Sequence, residues 1–75
     1  MPVYLFQLQN AETENYEIEL IDDLAAMAEA QKTAADLIKE FPVPERGEHS
    51  YKVSVRLAGQ SEAIFVIEIR TARIR

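Results

Sequence analysis

The chain has 75 residues, with 13 acids against 8 Lys and Arg, one His and no Cys. That length makes one small domain, and the lack of Cys excludes a disulfide scaffold, a thiolate metal site and a Cys nucleophile. With 48% apolar and 28% charged residues but two Gly and three Pro, the composition is that of a folded chain rather than a disordered one. Charge is uneven along it. Residues 1–40 carry nine acids and two bases, a balance of −7, whereas residues 41–75 carry four acids and six bases, a balance of +2. An isoelectric point near 4.7 argues against a nucleic-acid partner, because phosphate neutralisation by Lys and Arg supplies most of that affinity. Residues 1–10 have no basic segment and their apolar run breaks at Gln7. Neither a signal peptide nor a membrane span is expected, and the expected location is cytoplasmic.

Taken in chain order, Tyr4, Phe6 and Leu8 alternate with Val3, Leu5 and Gln7, which predicts a strand over ~3–9. Asn10 to Asn15 is polar and acidic and reads as a connection. Tyr16, Ile18 and Leu20 then alternate with Glu17 and Glu19, a half-buried strand over ~16–21 with a wet carboxylate face, which closes a hairpin with the first. A helix follows over ~23–41, where Asp22 is placed to cap the first turn and Asp23 suits its dipole. Met27, Ala30, Ala34, Leu37 and Phe41 recur at spacings of three and four, and Leu24 and Ile38 widen the stripe. Glu29, Lys32, Thr33, Asp36 and Lys39 fall opposite, with Lys32–Asp36 and Asp36–Lys39 spaced for ion pairs. Pro42 ends the helix, and Pro42 to Ser50 reads as a loop.

Tyr51, Val53, Val55 and Leu57 alternate with Lys52, Ser54 and Arg56, giving a third strand over ~51–58. Ala58 to Glu62 is a turn in which Gly59 is free to take positive φ. A fourth strand over ~62–70 is apolar on both faces at Ile64, Phe65, Val66 and Ile67, the pattern of a strand that is central or lies under an interface. Residues 71–75 read as a frayed basic tail or an extension of that strand.

The order ββαββ predicts an α+β domain, a four-stranded, mainly antiparallel sheet with one helix packed on one face. Val3, Leu5, Ile64 and Val66 then point away from the helix. If their strands are neighbours they form an uncovered apolar patch, the mark of an association surface. A core this small also leaves much of the chain exposed. Both points lead to the expectation of a homodimer, formed through the open sheet face or through edge strands.

Two stretches carry a resemblance. Met1-Pro2-x-Tyr4-x-Phe6-x-Leu8, and Glu19-Leu20-x-Asp22-x-x-Ala25-Ala26-x-Ala28-Glu29-Ala30, together resemble a family of short bacterial proteins of unknown function. Those proteins begin Met-Pro-Arg-Tyr-Phe-Phe and carry Glu-Leu-Pro-Asp before an Ala-rich helix. The likeness spans residues 1–40. Val3 stands where that family has Arg, Gln7 where it often has His, and its Asp-Gly turn is missing. The resemblance implies the fold and no activity. Tyr16-Glu17-Ile18-Glu19-Leu20 before an acidic cap and a helix is also similar to HicB-type antitoxins, although the Gly-Cys motif common there is missing.

Chemistry-bearing motifs are few. Glu48-His49-Ser50 holds the one His, but consecutive residues of an extended chain point apart and cannot converge as a triad, so His49 reads as a solvated loop residue. The acids between Glu12 and Asp23 lack the Gly bend of a calcium loop, and the two Gly are too far apart to cradle phosphate. No catalytic residue, metal or cofactor is expected. The expected function is a non-enzymatic protein-interaction module that self-associates through its sheet. Glu17 and Glu19, with Arg70, Arg73 and Arg75, are the residues expected to supply partner electrostatics. An antitoxin-like regulator with a basic protein partner is the alternative. Weak nucleic-acid binding by the C-terminal arginines comes behind both.

Overall fold

The computed structural model describes residues 1–10, 12–40 and 47–74. Five elements follow the ββαββ order: β1 Val3–Gln9, β2 Thr13–Glu19, α1 Asp23–Glu40, β3 Glu48–Leu57 and β4 Phe65–Ala72. All three strand pairings are antiparallel, and the order across the sheet is β2-β1-β3-β4. Two hairpins are thus joined side by side through a central β1–β3 seam, and α1 lies over one face against β3 and β4. This is the α+β architecture that the periodicities predict.

Element limits differ from the sequence reading where polar residues turn out to pair. Asn10 makes the first turn tight: its Oδ1 accepts the Glu12 N–H at 2.8 Å, and its own N–H donates to the Glu12 carbonyl at 3.0 Å. So β2 begins at Thr13, and Thr13, Glu14 and Asn15 pair with Gln9, Leu8 and Gln7 rather than forming a loop. Likewise β3 begins at Glu48, inside the stretch read as a loop. At the next turn Gly59 takes φ 87°, the region open to glycine, and Gln60 N–H donates to the Leu57 carbonyl at 3.0 Å. Of the two readings of residues 71–75, extension of the strand holds as far as residue 73. Thr71 and Ala72 belong to β4, and the Arg73 N–H donates to the Gly47 carbonyl at 3.2 Å. Phe41, the Pro42–Arg46 stretch and Arg75 lie outside the described residues.

The core forms where large sheet side chains meet small helix ones. Tyr4, Phe6, Val53 and Val55 are fully buried on the sheet, facing Ala26, Ala30 and Ala34. Alanine lets the helix lie close, so the aromatics and valines of the sheet fill the layer beneath it. Phe6 and Tyr16, direct partners across β1 and β2, stack with centroids 5.3 Å apart. The helix starts as expected: Asp22 Oδ1 accepts the Ala25 N–H at 2.8 Å, and the Asp22 carbonyl accepts the Ala26 N–H. Its apolar stripe is rotated from the expected one. Ala26 joins the buried face, whereas Leu24 is 75% exposed and Ile38 51% exposed. The three buried alanines define the line of closest approach, and the larger residues beside it are held on a flank.

Candidate interaction surface

The sheet face turned away from α1 is largely polar. Its rows run Glu17–Leu5–Arg56, then Asn15–Gln7–Ser54–Val66, then Thr13–Gln9–Lys52–Glu68, with Ser50 beside Arg70. The expected apolar patch does not assemble. β3 separates β1 from β4, so Ser54 and Arg56 stand between Leu5 and Val66. Val3 and Leu5 are half-buried, Val66 is 42% exposed, and Ile64 packs against the core instead of joining them. What the face does hold is an open concavity of about 540 Å³. Leu5 and Val66 line it among Gln7, Asn15, Ser54, Glu17, Lys52 and Arg56. Arg56 Nη1 donates to the Gln60 carbonyl at 2.8 Å, which ties the β3–β4 turn beside this hollow.

The edges are set by the phase of the ladders. Leu20 N–H donates to the Pro2 carbonyl, Ala58 N–H to the Val3 carbonyl and Arg73 N–H to the Gly47 carbonyl, at 3.1, 2.9 and 3.2 Å. In an antiparallel ladder, alternate residues turn their backbone groups to one neighbour and then the other. Continued inward from those bonds, the pattern leaves Thr13, Asn15, Glu17 and Glu19 of β2, and Val66, Glu68, Arg70 and Ala72 of β4, with backbone N–H and C=O groups directed out of the sheet. The two edges differ in charge. Residues 12–19 hold Glu12, Glu14, Glu17 and Glu19 with no base. β4 holds one acid and one base, Glu68 and Arg70.

The remaining sequence candidates separate. Glu17 and Glu19 lie on β2, which is an edge strand. Arg70 Nε pairs with Glu48 Oε2 at 3.1 Å, in an exposed position where such pairs contribute about 0–1 kcal/mol. Arg75 lies outside the described residues. His49 is no loop residue: it sits in β3 with Nδ1 3.2 Å from the Tyr51 hydroxyl. Tyr4 donates to Asp23 Oδ1 at 2.6 Å, and this hydrogen bond, with desolvation and the nearby Asp23 and Asp22 charges, pushes the phenol up to about 12. Among the described residues, no three His, Asp or Glu side chains gather to hold a metal ion, and no helix is long and apolar enough to cross a membrane. The sequence reading passed over Glu68 and Ile69 as edge residues, because nothing in the period-two pattern says which strand is outermost. Comparison with protein-family models, curated proteins and solved structures finds no match for this chain.

Proposed function

We propose that this chain is a non-enzymatic protein-interaction module that self-associates through its sheet. The observation that supports this best is its uncovered surface. One helix serves one face of a four-stranded sheet, and both lateral strands have unpaired outward backbone groups among the described residues. Native mass by light scattering behind a size-exclusion column, at low and high salt, tests the reading. A dimer mass at both salts is the expected result, because ladder hydrogen bonds and apolar contacts tolerate salt. A monomer mass at every accessible concentration overturns it.

The acidic β2 edge favours a second reading, a basic protein segment added as a strand beside Thr13–Glu19. Four exposed carboxylates on and beside an edge with free backbone groups suit such a partner, and their attraction would weaken steeply with salt. The arginine reading loses ground by comparison, since Arg70 already faces Glu48.

A further inference from the structure

We infer that the contact between copies is the β4 edge, paired antiparallel with β4 of a second copy about a two-fold axis through Ile69, so that two four-stranded sheets continue as one of eight strands. This deepens the self-association proposed above and rests on it.

Backbone phase and charge together select that register. The outward backbone groups of β4 belong to Val66, Glu68, Arg70 and Ala72, so a symmetric pairing must set these residues opposite one another. An axis midway between two residues would oppose an outward group to an inward one. Four axes near the strand centre satisfy the backbone, and the one through Ile67 sets Val66 opposite Glu68 and brings no opposite charges together. One through Glu68 places the two Glu68 side chains face to face, and one through Arg70 does the same for the two arginines. The axis through Ile69 instead sets each Glu68 opposite the other copy's Arg70, twice, and sets Val66 opposite Ala72. Opposite charges across a ladder stabilise it, and like charges destabilise it. The charge pattern therefore favours the register through Ile69, which alone gains ion pairs, and penalises its two neighbours.

The helix side agrees. About this axis Ile69 meets its own copy, and Ile67 meets Thr71, on the face that carries α1. Viewed down the helix, Thr33 lies on one side of the buried alanine line and within 3.5 Å of the Tyr16 hydroxyl of β2. Leu24 and Ile38 lie on the other side, towards β4, and both are exposed. With α1 over β3 and β4, each helix stands about one strand spacing from the axis. The two helices come to roughly 10 Å apart, a packing distance. The same operation at the other edge fails, because β2 would bring together two strands that each carry three carboxylates and no base. Pairing β4 with β2 of a second copy would leave an edge free at each end and grow into a filament.

The chain has no Cys, which makes cross-linking a clean test. In the proposed register the two Ile69 residues form a non-hydrogen-bonded pair with Cα atoms about 4.5 Å apart, inside the span of a disulfide. Ile69→Cys should oxidise to a covalent dimer, whereas Ile67→Cys and Thr71→Cys, which do not face their own copies, should stay uncoupled. Circular dichroism confirms that each variant folds. In a Glu48→Gln background, which frees Arg70 from its neighbour, Glu68→Arg should weaken dimerisation about tenfold. Adding Arg70→Glu should then restore it. A dimer that ignores both tests overturns the β4 register and leaves self-association standing, and equal coupling at residue 67 has the same meaning. Masses above a dimer, or β4 protected only when a different protein is present, also overturn it. A monomer at every concentration overturns this inference and the proposed function together.

Discussion

Tyr4 joins the sheet to the start of the helix through one short hydrogen bond. Its ring is buried, at 1% exposure, and its hydroxyl reaches Asp23 at 2.6 Å. The phenol is raised from 10.0 to about 12, chiefly by that bond, so the folded state holds the proton more tightly than the unfolded chain does. The stabilisation is fully present below pH 10 and is lost as pH rises through the folded value near 12. In a phenolate absorbance titration, one of the three tyrosines should ionise late. Tyr4→Phe should remove that late step and flatten the fall in stability between pH 10 and 12. At this scale the sequence was informative about which face Tyr4 occupies and silent about its partner. Asp23 read as a dipole residue because nothing in its spacing from Tyr4, 19 positions away, signals a contact.

At the scale of elements, the spacing of apolar residues predicted all five correctly in kind, and it erred on where α1 turns its weight. Periodicity treats Leu24, Met27 and Ile38 as better core residues than Ala26, because hydropathy counts area and not fit. The sheet had already supplied the bulk through Phe6, Tyr4, Val53 and Val55, and a closely approaching helix needed alanines. Ala30→Leu should therefore destabilise the fold by about 1–3 kcal/mol despite adding apolar surface, as measured by urea unfolding. The missed start of β2 has a related cause. Thr13, Glu14 and Asn15 read as a loop because they are polar, yet they pair with the ends of β1 at a sheet margin where neither face needs burial.

For the molecule as a whole, period-two alternation gives the faces of strands but not their neighbours. The order β2-β1-β3-β4 was therefore out of reach, and with it the distinction between an apolar face and an edge. Val3, Leu5 and Val66 were placed on the correct face, and the intervention of Ser54 and Arg56 became visible once β3 was seen to lie between β1 and β4. The molecule is also elongated. The principal extents are 46, 20 and 15 Å, and the radius of gyration is 13.5 Å, against about 11 Å for a compact chain of this length.

The central β1–β3 seam also decides when the chain can fold. During synthesis the first hairpin and α1 emerge together, but the bed on which α1 rests, β3 and β4, is still to be made. Until it arrives, the inner backbone groups of Leu5, Gln7 and Gln9 have no neighbour, and the buried alanines lack Val53 and Val55, half of the large side chains they face. A peptide of residues 1–40 should accordingly show little ordered structure by circular dichroism, and a nearly complete helix spectrum from it would contradict this. β3 and β4, made after α1, complete the fold, so the segment made first is a borrower of structure that later residues must supply.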